Sequence, residues 1–364
     1  MFARHLALCA TICGLGAFAA APPARACTGI TLRPRDGSIV YARTLEFALD
    51  TKSNLIVIPR GKEFVGSTPT EAPGLRWTSK FAVAGMNAFD QPLFLDGLNE
   101  RGLSVGLFYF PGYAGYQVAG AADIDRTLAP QELGVYLLGT CADVAEAAAA
   151  TRAVVVAATM FKPMGEVPPC HYIVTDAGGN SLVIEYVAGQ LRLHDNRIGV
   201  ITNSPTFDWH LTNLSNYINL SPTNVPPLDL AGLRIHGFGQ GTGMLGLPGD
   251  FTPPSRFVRA AAFVNSALPV DTAGEGVLQA FHILNQFDIP KGAARGVEHG
   301  SPVADFTQWT SAADLTNGRY YVRTFANSRI RQLDLKSVAP QLDDMATIRL
   351  SEAEDIEDVT PAAR

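Results

Sequence analysis

The residue that most constrains this chain is Cys27, because of what precedes it. The segment MFARHLALCATICGLGAFAAAPPARA places Arg4 ahead of an apolar run from Leu6 to about Ala21 and closes on Ala24-Arg25-Ala26. Basic start, apolar middle and small-residue end are the layout of a secretory signal with an A-x-A cleavage site. A membrane anchor is the competing reading, but the run is shorter than the roughly 20 residues a span requires. It also ends in Pro22-Pro23, and no second apolar stretch follows. The expected organisation is a signal peptide at 1–26, a single domain over 27–364, and a periplasmic or secreted destination without a stable membrane span. Cleavage would make Cys27 the first residue.

A free N-terminal cysteine carries a thiol of pKa about 8.5 and an α-amine of pKa about 7.7–8.0. The amine lies a few atoms from the sulfur and can act as base near neutrality, where a lysine would need a large desolvation shift. That is the logic of an N-terminal-nucleophile hydrolase, which attacks an amide and passes through an acyl-enzyme. The alternative is a structural or lipid-modified cysteine. The absence of an aliphatic residue three positions upstream counts against lipid attachment.

Charge narrows the partners. Lys+Arg number 28 against Asp+Glu 34, a net −6, so the chain lacks the basic footprint that nucleic acid requires. A hydrophobic content of 47% over 364 residues suffices for one large core or two modest ones. Loss of the leader removes Cys9 and Cys13 and leaves Cys27, Cys141 and Cys170, an odd number in an oxidising compartment. Cys141 and Cys170 either bridge or are small buried apolar residues. The six remaining histidines are scattered without metal-ligand spacing, and no metal or cofactor is expected.

Strand, turn and strand follow Cys27, with Pro34-Arg35-Asp36-Gly37 as the turn. A two-residue Asp36-Gly37 loop would set Arg35 opposite Ser38 and Cys27 opposite Glu46, leaving Arg43 out of phase with Cys27 unless a bulge intervenes. Further strands are expected at 55–59, 81–86, 92–98, 103–110, 171–175, 181–187 and 199–202. A helix is expected over 141–160, started by Thr140 with Asp143 three residues on. Residues 215–254 are the least regular stretch, expected to pack over a neighbour or a site. Helical spacing returns at 255–267 and 274–285, and a hairpin spans 308–315 and 319–325. Grouped strands and helices imply an α+β layered fold with antiparallel sheets and outer helices. Gly237-Phe-Gly-Gln-Gly-Thr-Gly lacks the Lys-Ser/Thr of a phosphate loop and reads as a close-packed loop. Phe47, Phe108, Tyr109 and Phe110 are expected to line an apolar pocket, with core packing the alternative for each.

CTGITLRPRDGSIVYARTLEF resembles the start of the choloylglycine hydrolases and penicillin V acylases, in which a mature Cys is followed by an R-[NST]-[LM]-D segment. GLNERGLSVGLFYFPGY at 97–113, ITNSPTFDWHLTNLSNY at 201–217, GFGQGTGMLGLPGDFTPPSRF at 237–257 and QWTSAADLTNGRYYVRTF at 308–325 continue the resemblance in order. It implies a four-layer αββα N-terminal-nucleophile fold. It also implies Cys27 as nucleophile and, through its amine, base. Arg43 would hold the thiolate and substrate region, and Glu46, where the family usually has Asp, would orient the amine. Asn203 and the Tyr109 backbone N–H would form the oxyanion hole, and Arg256 would stabilise developing charge. Tyr rather than Asn at 109 leans toward an aromatic or acyl-chain substrate. The implied activity is hydrolysis of a linear non-peptide amide of a small molecule, such as a conjugated bile salt, penicillin V or an N-acyl homoserine lactone. A ceramidase-like amidase and a non-catalytic envelope lipoprotein anchored at Cys27 are the alternatives. Relatives are often tetramers, which makes 213–227 a candidate assembly arm.

Overall fold

A computed structural model describes residues 26–298, 300–350, 353–354 and 356–360; the expected leader, up to residue 25, lies outside the described residues. The first hairpin sets the register of everything near Cys27. Strand β1 (Cys27–Leu32) pairs with β2 (Val40–Phe47), but the turn is one residue longer than a two-residue loop. Gly37 takes φ 82°, its N–H reaches Pro34 O at 3.2 Å, and Asp36 Oδ1 accepts from Ser38 N at 2.9 Å. Cys27 therefore stands opposite Leu45, not Glu46 as the shorter turn would give. A one-residue shift exchanges the faces of a strand. Cys27 and Arg43 consequently share one face, without a bulge in either strand, and Glu46 joins Thr28 and Thr44 on the other.

The two strands lie in a seven-stranded antiparallel sheet ordered Val200–Ile201, β1, β2, Ser301–Asp314, Arg319–Thr324 and Arg331–Asp334, with Ala294–Glu298 added to the start of the long strand. A bulge does occur next door: Thr307 pairs with Glu46 and Trp309 with Leu45, leaving Gln308 unpaired. Its side-chain amide donates to Phe47 O and Leu49 O and accepts from Thr51, tying down the loop after β2. The second sheet is eight-stranded and antiparallel, ordered Gln190–Asp195, Ser181–Val187, Cys170–Thr175, Ser104–Tyr109, Gln91–Asn99, Val83–Ala88, Leu55–Ile58 and Ala346–Ile348.

The sheets stack closely at β1. A Cβ on Gly29 would sit 2.8 Å from both Ile201 and Phe108, so only glycine fits there. On the second sheet lie α1 (Leu133–Thr140) and α2 (Val144–Ala153); the short α3 (Phe207–Asn213) follows the Val200–Ile201 strand. Helices α4 (Pro253–Ser266) and α5 (Ala273–Leu284) cover the first sheet. The result is the four-layer αββα arrangement. One core fills the space between the sheets and under α4 and α5, and a second lies under α1 and α2.

Two elements differ from the sequence reading. The helix expected at 141–160 is shorter: Asp143 caps α2 by accepting from Glu146 N at 2.8 Å and the helix ends at Ala153, while α1, which ends at Thr140, was not expected. Val154, Val155 and Val156 then divert the chain into a short strand, as β-branched residues favour. The irregular stretch contains a small exposed hairpin, Leu228–Leu230 with Leu233–Ile235, and the glycine loop at 237–243 is mostly exposed rather than close-packed. Cys27, Cys141 and Cys170 are free and buried, so Cys141 and Cys170 do not bridge.

Candidate active site

Cys27 opens β1 at the edge of the inter-sheet space and is 2% exposed. Its nitrogen, here still joined to Ala26, donates to Asn203 Oδ1 at 2.7 Å. Burial raises the thiol pKa, Arg43 and Arg256 pull it down, and Glu46 pushes it up. The sulfur thus sits where a protonated thiol is favoured at rest and two cations favour the thiolate once formed.

Arg43 reaches Cys27 from the same face of the sheet. It is fully buried, with Nη1 donating to Leu95 O at 2.8 Å and Leu107 O at 2.6 Å, and Nε donating to Thr44 O at 3.2 Å. The guanidinium lies 4.1 Å from the Phe108 ring centroid and 5.3 Å from that of Trp309. Such cation–π contacts and carbonyl acceptors hold a cation in a dry interior. Nη2 has no partner, so this buried charge retains a donor for an anion.

Glu46 lies on the helix-facing side, separated from Arg43 by the sheet. Its Oε1 accepts from Thr307 Oγ1 at 2.9 Å. Burial pushes its pKa up to about 7, against Arg256, Thr44 and Thr307, which favour the carboxylate. Arg256, near the start of α4, donates through Nη1 to Cys27 O and to Thr28 Oγ1, and through Nη2 to Asn203 Oδ1 at 2.7 Å. Burial brings its pKa down to about 10, so it stays charged at neutral pH.

Asn203 joins these groups. Its Oδ1 takes bonds from Cys27 N and Arg256, while its Nδ2 donates to Tyr109 O at 2.8 Å. Tyr109 stands opposite Cys170 while Phe110 N, one residue on, donates across to Pro169 O at 2.7 Å, so the Tyr109 backbone groups point away from the Cys170–Thr175 strand, on the side where its C=O meets Asn203.

Sequence reasoning missed the side chains that hold Asn203 in place. His171 Nε2 lies 3.0 Å from Thr202 O, and His210 Nε2 lies 2.9 Å from Asn203 O. His210 is lowered to about 4, chiefly by burial, so it is neutral and donates from Nε2. Glu185 Oε1 lies 3.3 Å from His171 Nδ1 and accepts from Phe207 N at 2.9 Å. Burial opposes its charge, but His171, His194 and the Phe207 amide outweigh it and bring its pKa down to about 2. His171, Glu185 and His194 lie on three consecutive strands of the second sheet and His210 on α3, a juxtaposition that metal-ligand spacing does not reveal. Among the described residues, no group of three or more His, Cys, Asp or Glu is placed to hold a metal ion.

A narrow, nearly wholly apolar cavity of about 50 Å³ opens on Cys27, with Leu45, Phe47, Leu107, Tyr109 and Cys170 among its walls. The Phe47 and Tyr109 rings meet edge to face at 5.9 Å. Phe108 and Phe110, also expected here, are not in its wall. They alternate with Leu107 and Tyr109 along the strand, so Phe108 packs on Arg43 and Phe110 stacks on His171 with centroids 4.3 Å apart. The arrangement brings together a buried thiol, two arginines, an asparagine that meets the nitrogen of the same cysteine, and an apolar cavity.

Comparison with known proteins gives this arrangement its lineage. The sequence profile of linear amide C–N hydrolases, choloylglycine hydrolase family, matches residues 27–348. The bile salt hydrolase/transferase of Clostridium perfringens is 36% identical over 315 residues, covering 85% of this chain and 92% of that protein. The penicillin V acylase of Pectobacterium atrosepticum is 26% identical over 318 residues, covering 82% of this chain and 77% of its own. A crystal structure of a conjugated bile acid hydrolase variant from Clostridium perfringens superposes with a TM-score of 0.80 at 32% identity, covering 92% of this chain and 100% of that one. The chain belongs to the choloylglycine hydrolase family, linear amide C–N hydrolases built on the N-terminal-nucleophile fold.

Proposed function

We propose that this protein is exported, cut after Ala26, and hydrolyses the amide of a small molecule with an apolar acyl group, using the freed Cys27 as nucleophile and base. The observation that carries the reading is the bond from Cys27 N to Asn203 Oδ1 beside an apolar cavity, which would hold a freed amine next to its own thiol. The amine takes the thiol proton, and the sulfur attacks the substrate carbonyl. The resulting oxyanion accepts from the second N–H of Asn203 Nδ2 and from the Tyr109 N–H. Collapse breaks the C–N bond, with the proton passing from the ammonium to the departing amine. Water, deprotonated by the same amine, then cleaves the thioester and returns the free thiol. Arg43 and Arg256 favour the anionic species on the two sides of Cys27, and Glu46 is the buried carboxylate that meets the charge of the new amine.

Conjugated bile salts, penicillin V and N-acyl homoserine lactones all present such an amide, and relatives of this chain carry the names bile salt hydrolase and penicillin V acylase. A panel of taurine and glycine conjugates, phenoxyacetyl amides, acyl homoserine lactones and long-chain acyl amides ranks these classes. The intact mass of the exported protein is expected to begin at an unmodified Cys27. Cys27→Ala is expected to abolish turnover and Cys27→Ser to leave little, because a hydroxyl is far less acidic than a thiol. A lipid adduct on Cys27, or full activity in the alanine variant, contradicts the assignment. We further infer a homotetramer built through the arm at 213–227, where Ile218 and Val225 stand largely exposed.

A further inference from the structure

On the side of Arg43 away from Cys27 lies a buried carboxylate that the proposed chemistry does not use. Cys27 stands opposite Leu45, two residues from Arg43 in one direction along β2, and Tyr41 lies two residues away in the other. Arg43 pairs with Ser311, and Tyr41 with Ala313, which pairs in turn with Tyr320. Directly opposed residues share a face, so Tyr41, Arg43, Ser311 and Tyr320 all point between the two sheets.

Asp96 meets them from the second sheet. It is 1% exposed, and its Oδ2 accepts from Ser311 Oγ at 2.6 Å and from Tyr320 OH at 2.7 Å. The carbonyl just before it, Leu95 O, takes the bond from Arg43 Nη1. The Tyr41 hydroxyl lies against Gly106, the residue paired with Asp96, where a Cβ would stand 2.2 Å from it. Burial raises the Asp96 pKa, while Arg43, Ser311, Tyr320 and Tyr41 favour the carboxylate.

A buried cation left without a counter-charge is costly in every state of the site. Burial opposes the Arg43 charge, and Cys27, Tyr41, Asp96 and Glu46 support it. Until the thiol ionises, Cys27 supplies no anion. Tyr41 stays protonated because burial holds its pKa well up, and Glu46 lies across the sheet. Asp96 is the carboxylate on the Arg43 face. Resting on the reading of Cys27 as nucleophile, we propose that Asp96 is the resting counter-ion of Arg43 and through it a positioning residue for the thiol. By answering the guanidinium from behind, it keeps the sulfur protonated until the terminal amine takes the proton. The carbonyls of Leu95, Leu107 and Thr44 hold Arg43 whatever the charge of Asp96, so loss of that charge leaves the cation in place and turns its demand for an anion onto the sulfur.

The test is a titration of the thiol in the exported protein, followed by the ultraviolet absorbance of the thiolate. It compares the wild type, Asp96→Asn and Tyr320→Phe, each measured against its own Cys27→Ala counterpart. Asn keeps an oxygen for Ser311 and Tyr320 but carries no charge, and Phe at 320 removes one donor that favours the carboxylate. The other groups acting on the thiol are common to all three proteins: Arg43, Glu46 and Tyr41 of β2, Arg256 of α4, Cys170 of the second sheet and the terminal amine. The midpoint is expected to fall by at least about half a unit in Asp96→Asn, about a threefold gain in thiolate well below it, and by less in the same direction in Tyr320→Phe. A midpoint that stays or rises in Asp96→Asn overturns the proposal, and if that variant does not fold, the same result in Tyr320→Phe overturns it. The readout needs no turnover. A lowered midpoint in a protein that cleaves no amide sustains the role of Asp96 and refutes the hydrolase reading, and turnover with an unmoved midpoint does the reverse.

Discussion

Glu46 shows how one side chain's neighbours set its chemistry. Burial brings it to about 7, so it loses its proton in the same range as an N-terminal amine. The carboxylate stabilises the ammonium, and only the free amine can accept the thiol proton. Replacing Glu46 by Gln is therefore expected to lower the amine pKa and move the acid limb of kcat/KM to lower pH. Glu46→Asp keeps a negative charge and is expected to hold the limb near its wild-type position. A limb that stays put in Glu46→Gln removes Glu46 from the proton chemistry. The identities of Cys27, Arg43, Asn203 and Arg256 were legible in the sequence because the motifs around them are ordered along most of the chain. The face on which Glu46 lies was not, because one additional loop residue at Gly37 decides it. Phe108 and Phe110 were misplaced for a related reason: adjacent aromatics on one strand cannot all face one pocket.

The element that carries Asn203 is held from behind rather than by its own strand, which spans only Val200–Ile201. His171 and His210 meet the carbonyls of Thr202 and Asn203, and Glu185 fixes His171 and the first amide of α3. His210 titrates near 6.5 when unfolded and near 4 when folded, so the unfolded chain binds the extra proton between those values. Its contribution to stability is therefore intact above pH 6.5 and is lost as pH falls toward 4. His171, Arg256 and Glu185 also act on it electrostatically, the first two opposing its charge and the third favouring it. The melting temperature of wild type minus that of His210→Phe is expected to shrink over this window and to be flat from pH 7 to 8. A difference that does not change between pH 6.5 and 4 contradicts a neutral His210. The sequence reading found most strands but missed α1 and ran α2 on to 160, since no Gly or Pro marks the point where Val154, Val155 and Val156 turn the chain into a strand.

At the scale of the whole molecule, two antiparallel sheets bring together residues from both ends of the chain, so Cys27 is completed by Asn203 and Arg256 nearly two hundred or more positions away. Layer order was legible from the grouping of strands and helices, whereas strand order depends on long-range pairing, and the clustering of His171, Glu185 and His210 on how two consecutive strands and α3 pack together. The exposed arm carries the assembly proposal. Changing Ile218 and Val225 to Asp is expected to convert a tetramer to smaller species in analytical ultracentrifugation while leaving the fold intact. An unchanged sedimentation coefficient places the interface elsewhere. In the proposed mechanism one residue, Cys27, supplies both nucleophile and base from a free terminus. Rapid quenching of the mature enzyme during turnover of a slow amide, followed by peptide mass analysis, tests it most directly. The expected product is an acyl thioester on a peptide that begins at Cys27 with an unblocked amine. An acyl group on any other residue, or turnover by a chain in which Cys27 remains bonded to Ala26, would contradict it.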